Sequence, residues 1–379
     1  MIKVLKQNMD AYLAFLRRFE NVTYNLYHKD GAQFCQQKDC VTWINPKAKR
    51  RKIKNGNYNL NYYAFDQTDF TELNKFLYAL DVKEQQMREQ GYNMDGIKSF
   101  NRNIWMDISR ESSAIEDIIE DFSFDLLDFR TKLKGKIFVD PPKGEFDEYE
   151  YFKLLLSQFE KIKNNENDFV IEGNKQKHKL KIETIGHFIA FKYMYHCAKA
   201  AQRKVNLSED EFEEVLKNSS ALISGNFSLP YRHDNAQVTD VAWTTVKPKD
   251  ICDRMKSLCE WVTSGKLGAK LHPIEQAAIF HAEFIRIHPF ADGNGRTGRI
   301  MSNYILIKNG VPTVAMRNVN RQNYYKAINK AIETHEVDDL IGIFTNAVWE
   351  SARKIDECLD YIASKSKPSS KAKTDPKTK

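Results

Sequence analysis

No stretch of this 379-residue chain is long and apolar enough to read as a membrane span or a secretory core. The opening Met1-Ile2-Lys3-Val4-Leu5-Lys6-Gln7 is already interrupted by charge and amide. Cysteine is scarce and scattered. Its six positions (Cys35, Cys40, Cys197, Cys252, Cys259, Cys358) follow no framework rhythm. That excludes a disulfide-stapled scaffold and points to reduced thiols in a cytoplasmic protein without membrane contact. His28, Cys35 and Cys40 lack a second ligand pair, and no H-E-x-x-H string occurs, so the usual zinc patterns are missing. There is no internal repeat. What remains is a globular chain with room for one generous domain or two modest ones.

The net charge of +7 looks like an affinity for nucleic acid, but five of those charges lie between Ser364 and Lys379. That tail is rich in Lys, Ser and Pro and is expected to be disordered. A second basic run, Lys47-Ala48-Lys49-Arg50-Arg51-Lys52-Ile53-Lys54, reads as a solvated loop. The neighbouring Trp43, Tyr58, Tyr62 and Tyr63 keep a nucleic-acid or partner contact there as an alternative, not the favoured one.

Apolar periodicity and capping signals predict a mainly helical protein. Residues Ala11 to Tyr27 are amphipathic, and Phe34 to Phe65 suggest a short hairpin or irregular region. Helices are expected after Thr68-Asp69, from about Asn101 to Glu120, and over Asp147–Asn164, Thr184–Lys204, Ser208–Lys217 and Ile251–Ser264. Further helices are expected over Pro273–Ile287, Arg296–Lys308, Arg321–Thr334 and Val337–Ser364, with a short hairpin between Val170 and Glu183.

The chemistry concentrates in His288-Pro289-Phe290-Ala291-Asp292-Gly293-Asn294-Gly295-Arg296-Thr297-Gly298-Arg299. A histidine near its usual pKa of ~6.5 can take a proton from an attacking hydroxyl. Asp292 is a hard oxygen ligand suited to Mg²⁺, which rides on phosphates with one or two protein carboxylates. Gly293 and Gly295 allow backbone turns whose N–H groups cradle an anion. A helix resuming at Arg296 would aim its positive end at the same anion, with Arg296 and Arg299 on one face of its first turn. An Asp-Gly-Asn-Gly turn alone would need neither the histidine nor the arginine pair. His281, seven residues before His288 on an apolar helix, reads as a hydrogen-bonded core residue.

This string resembles the signature of the Fic (filamentation induced by cAMP) family, H-x-F-x-[D/E]-G-N-G-R-x-x-R, at every fixed position. The resemblance implies an all-α Fic fold with a small β-hairpin flap, here preceded by a small mixed N-terminal region. It also gives roles to weaker signals. Ser112 and Glu116, four apart on a predicted helix, match the family's inhibitory pattern [S/T]-x-x-x-E-[G/N], with Asp117 departing from its last position. In relatives of this arrangement the glutamate pairs with the second motif arginine, Arg299 here. Val241, Ala242, Trp243 and Thr244 lie where the family has its flap, and Tyr231-Arg232 resembles a pair found just before it. Tyr324 and Tyr325 lie where the family walls the nucleotide base, and Ile332 stands where some relatives have asparagine.

The implied activity is protein adenylylation: AMP passes from ATP, with Mg²⁺, to a Ser, Thr or Tyr hydroxyl of a target protein. His288 is the expected base and Asp292 the metal ligand. Gly293, Asn294, Gly295, Arg296, Thr297, Gly298 and Arg299 form the phosphate site, with Asn294 holding α-phosphate oxygens. Glu116 is the expected brake. AMP removal, another donor (UMP, phosphocholine), a homodimer, or a binding protein with a quiescent Fic core are the alternatives. The expected organisation is an N-terminal region over 1–100, an inhibitory helix over 101–125, a Fic core over 126–350, and a helix end with basic tail over 351–379.

Overall fold

The computed structural model describes residues 50–55, 58–65, 70–116, 140–141, 145–164, 175–202, 204, 207–225, 230–239, 241–264 and 271–365. Strands β1 (Arg50–Asn55) and β2 (Tyr58–Phe65) form a two-stranded sheet. The helices are α1 (Thr71–Glu89), α2 (Asp95–Ile115), α3 (Glu148–Asn164), α4 (Lys175–Ala201) and α5 (Glu209–Ser224). They continue as α6 (Ile251–Thr263), α7 (Pro273–Ile287), α8 (Asn294–Lys308), α9 (Arg321–Thr334) and α10 (Asp338–Lys365). Among the described residues no helix is long and apolar enough to cross a membrane. Cys197, Cys252, Cys259 and Cys358 are free thiols.

The chain divides into two compact units. One takes in residues 65–104 and 345–379. Within it α1 buries Leu73, Phe76 and Leu80 at helical spacing, and Phe76 packs against Trp349 of α10 with ring centroids 5.3 Å apart. The buried Lys83 is held by Asp356 at 2.5 Å and Asp360 at 2.7 Å, which supplies the pairing that a buried ammonium requires.

The other unit contains residues 105–344 and is built around α7. Pro273 pre-sets the φ of its first turn, and the Glu275 carboxylate accepts from the His272 N–H at 3.0 Å. Ile274, Ala277, Ala278, Ile279, Phe280, Ala282, Phe284 and Ile287 are all buried, so α7 has hardly a solvent face. Helices α8, α6 and α9 lie against it, and α4 and α5 pack on α8. Two glycines set the spacing. A Cβ on Gly298 would lie 3.1 Å from His281 of α7, and one on Gly186 would lie 2.6 Å from the Leu222 carbonyl of α5. The first brings the start of α8 close against α7, and the second brings α4 close against α5.

Three expectations change. The basic run becomes strand from Arg50 onward, rather than loop. The segment Lys175-Gln-Lys-His-Lys-Leu-Lys-Ile182 alternates with period two and reads like a strand, but it is the start of α4. The buried Ile185, Phe188, Ile189 and Phe191 establish the helix, and extending it backward is cheap once nucleated. Residues 237–239 and 241–246, read as a flap strand, contain no strand. Their β-branched residues favour an extended path, but no ladder partner is present among the described residues. The helix expected at Ala11–Tyr27, Asp117, and His28, Cys35 and Cys40 lie outside the described residues.

Candidate functional site

The site is the loop joining α7 to α8. Helix α7 stops because His288 turns left-handed, with φ 53° and ψ 57°, a conformation that costs a non-glycine residue about a kcal/mol or more. Its N–H still bonds the Phe284 carbonyl at 2.9 Å. The ring is oriented by a contact of 3.2 Å between Nδ1 and the Ile285 carbonyl. A carbonyl can only accept, so Nδ1 carries the proton and Nε2 is left as a lone pair, the form a general base needs. Burial lowers the His288 pKa, the Ile285 carbonyl opposes that shift, and Arg232 adds to it. The imidazole is therefore neutral at pH 7.

The loop is held from behind. Phe290 is fully buried, with Tyr231 and Phe284 as ring neighbours at 5.5 and 6.4 Å. Asn294 closes the turn: its Oδ1 accepts from the Phe290 N–H at 2.9 Å, and its Nδ2 donates to the Phe290 carbonyl at 2.7 Å. Both polar atoms of the Asn294 side chain are thus engaged in shaping the loop. Arg232 ties three strands of chain together. Its Nε donates to the His288 carbonyl at 2.6 Å, Nη1 to Asp234 at 2.6 Å, and Nη2 to the carbonyls of Val246 and Ile287. The 241–246 segment is pinned to the same frame, with Val246 N–H on the Arg286 carbonyl and Trp243 Nε1 on Asn329 Oδ1 at 3.1 Å.

The other side of the loop is the N-terminal end of α8. Gly293, at φ 79°, caps α8, and its N–H is taken by Asp292 Oδ1 at 2.6 Å. The first turn of α8 presents N–H groups that no preceding helical carbonyl can reach, together with the positive end of the helix dipole. Arg296 and Arg299 rise from this turn, both buried. Arg299 is engaged through every nitrogen: Nε donates to Ser112 Oγ at 2.8 Å, and Nη2 to the Ser112 carbonyl at 2.8 Å and Glu116 Oε1 at 2.6 Å. Its Nη1 is 3.4 Å from the Tyr324 hydroxyl. Burial opposes the Arg299 charge, but Tyr324 and Glu116 outweigh it and raise its pKa. Glu116 also sits against Gly295, where an added Cβ would fall 2.2 Å from Oε1. A carboxylate thus occupies the N-terminal end of α8 as well as the arginine.

Helix α2, which carries Ser112 and ends just before Glu116, is docked by further polar contacts. Arg317 reaches Asp107 at 2.6 Å, the Asn318 N–H bonds Glu111 at 2.8 Å, and the Tyr325 hydroxyl donates to the Ile115 carbonyl at 2.9 Å. On α4, His187 Nδ1 lies 3.0 Å from Ser109 Oγ. Tyr324, expected as a base wall, has its hydroxyl 2.6 Å from His281 Nε2. Tyr324 is buried behind Arg299, where it supports the guanidinium. His281 is the core residue its sequence context suggested, with both nitrogens in contact and a pKa pushed by burial to about 3.

The structure brings together His288, Asp292, Gly293, Gly295, Arg296, Arg299, Ser112, Glu116 and Tyr324. Thr297 and Gly298 lie on the α8 face packed into the core: Thr297 is fully buried, and Gly298 adjoins His281. Val241, Ala242, Trp243 and Thr244 line the neighbouring segment without forming a strand. Sequence reading missed Glu183, which reaches Arg296, and His187, which reaches α2. Neither stands in a local motif, so only the fold reveals them.

Residues 206–306 match the model of the Fic/DOC family. The chain is 35% identical over 153 residues to the protein adenylyltransferase Fic of Nematostella vectensis, covering 39% of this chain and 34% of that protein. It is 27% identical over 228 residues to a probable protein adenylyltransferase of Aquifex aeolicus, covering 58% of this chain and 60% of that one. These alignments span less than two thirds of each relative. The crystal structure of a Fic-domain signalling protein from Bacteroides thetaiotaomicron shares the fold, with a TM-score of 0.50 at 19% identity over 77% of this chain and 98% of that chain.

Proposed function

We propose that this chain, which carries a Fic/DOC-family domain over residues 206–306, is a protein adenylyltransferase held back by its own Glu116. The observation that carries this reading is the loop itself. An imidazole with an open Nε2 stands at one end, and a helix N-terminus with two buried arginines stands at the other. An acceptor hydroxyl on a target protein loses its proton to His288 Nε2. Its oxygen attacks the α-phosphorus of ATP, the bond from that phosphorus to the bridging oxygen breaks, and pyrophosphate leaves. The α8 N-terminus and Arg296 bind the phosphates next to the reacting centre, and Arg299 binds the γ-phosphate, stabilising charge as it develops. Asp292, a hard-oxygen ligand with its side chain 83% exposed, would hold Mg²⁺, which neutralises phosphate charge. The segment 241–246 is the side from which a target peptide approaches His288.

Glu116 blocks this arrangement by taking Arg299 and lying against Gly295. A triphosphate then loses one charge-assisted partner and meets a carboxylate. Misplacing the α-phosphate by about 1 Å can cost ~10²-fold in rate. The test is mass spectrometry of proteins incubated with ATP, Mg²⁺ and the Glu116→Gly chain. AMP on Ser, Thr or Tyr is expected, with none when His288→Ala is added. Modification only from UMP or phosphocholine donors, or removal of AMP from a modified target, would replace this reading.

A further inference from the structure

Glu116 is not the sole carboxylate on the anion site. Glu183 of α4 places Oε2 3.2 Å from Arg296 Nη1, and Asp292 Oδ2 lies 3.4 Å from Nη2. Two arginines therefore face three carboxylates, Glu116, Glu183 and Asp292, and their formal charges are more than cancelled before any nucleotide arrives. We infer that Glu183 is a second internal anion of this site, competing with the phosphate next to the α-phosphate for Arg296 as Glu116 competes for Arg299. The inference rests on the nucleotide reading above and names a determinant of its affinity.

The three carboxylates differ in how they can leave. Asp292 is 83% exposed on a turn and can swing into water. Glu116 follows the last residue of α2 and can leave with that segment. Glu183 lies inside the continuous helix α4, next to the buried Thr184 and Ile185, with its own side chain 19% exposed. Its backbone is fixed, so its charge stays beside Arg296 whatever Glu116 does.

The geometry marks Glu183 as a competitor and not a scaffold. A carboxylate that locks an arginine for later use does so with two short parallel bonds of about 2.7–2.9 Å. Glu183 Oε2 stands 3.2 Å from Arg296 Nη1, longer than the bonds of such a clamp. Arg296 Nε is buried without a hydrogen-bond partner, whereas Arg299 has all three nitrogens engaged. Arg296 is thus the less satisfied guanidinium, and phosphate oxygens offer it stronger bonds than it now has. Glu183 weakens that gain by repulsion at close range.

Calorimetric titration of AMP, ADP and ATP with Mg²⁺ onto the full chain tests this. AMP lacks the phosphate that Arg296 is proposed to bind, ADP has it, and only ATP adds the one for Arg299. Glu183→Gln, which keeps the shape and removes the charge, is expected to tighten ADP and ATP about tenfold and leave AMP unchanged. Glu183→Asp is expected to retain wild-type weakness, and Glu116→Gly, which clears both Arg299 and the α8 N-terminus, to tighten ATP more than ADP. Unchanged AMP affinity shows that the site is intact in the Glu183 variants. ADP binding that is unchanged or weaker in Glu183→Gln overturns the inference, as does an equal change in AMP. Absence of adenine-nucleotide binding in every variant rejects the nucleotide reading, and the inference with it.

Discussion

The two sides of the His288–Arg299 loop are finished to different degrees. The base side is assembled mostly from its own loop: the Ile285 carbonyl orients the imidazole and Asn294 closes the turn, with Arg232, from earlier in the chain, fastening the His288 carbonyl. The phosphate side is filled by residues far away in sequence, Ser112 and Glu116 on Arg299 and Glu183 on Arg296. One side is ready to accept a proton while the other already holds internal anions. On the proposed reading, the difference teaches that proton transfer and restraint are separable. Substitutions on the base side should destroy activity, and removal of the internal carboxylates on the phosphate side should release it.

The largest effect should come from His288→Ala. With Glu116→Gly present to open the site, transfer should fall by at least ~10²–10⁴-fold, while ATP binding measured by calorimetry stays within a few-fold. Next is the release itself. Glu116→Gly should raise the initial rate of AMP transfer on the order of 10²-fold, because the γ-phosphate regains Arg299. Arg232→Gln should cost about tenfold in kcat through loss of loop support. It should also move the acid limb of the pH profile upward, since Arg232 helps to lower the His288 pKa. A slower enzyme with an unmoved acid limb would show Arg232 to be a purely structural clamp. Tyr324→Phe should raise the KM for ATP a few-fold with little change in kcat, having removed a neutral acceptor from Arg299.

The smallest predicted effect at neutral pH concerns His281. Its folded-state pKa of about 3 lies below that of an unfolded histidine, ~6.5. The unfolded chain therefore binds more protons at this position in mild acid. The stability contributed by burying it neutral is complete above ~6.5 and is lost as pH falls toward 3, at up to ~1.4 kcal/mol per pH unit. Denaturant melts of wild type and His281→Gln should converge as pH drops from 7 to 5. Curves that stay parallel would show that His281 does not resist protonation in the folded state.

What the sequence disclosed follows from how local each signal is. Helices α7 and α9 begin and end where Pro273, the apolar spacing and the left-handed stops place them, because capping and periodicity act within one or two turns. The His288–Arg299 loop was legible for the same reason, its twelve residues being contiguous. The start of α4 was hidden by alternating lysines, and the 241–246 segment by β-branched residues whose strand tendency has no effect without a partner. Glu116 could be singled out only through a family resemblance, since a lone glutamate on a charged helix carries no signal. Glu183 could not be singled out at all. Its meaning arises from the packing of α4 beside α8, which joins residues more than a hundred positions apart. Asn294 and Tyr324 show a further limit, because motif membership told that they belong to the site but not which atoms they touch.

The central claim is an assembled site restrained from within. It is tested most directly by the initial rate of label incorporation from [α-³²P]ATP with Mg²⁺, comparing wild type, Glu116→Gly, and Glu116→Gly with His288→Ala. The account predicts weak labelling of protein by wild type, strong labelling by the single variant, and none by the double variant. Equal labelling by wild type and Glu116→Gly would contradict the restraint, and labelling that survives loss of His288 would contradict the assigned base.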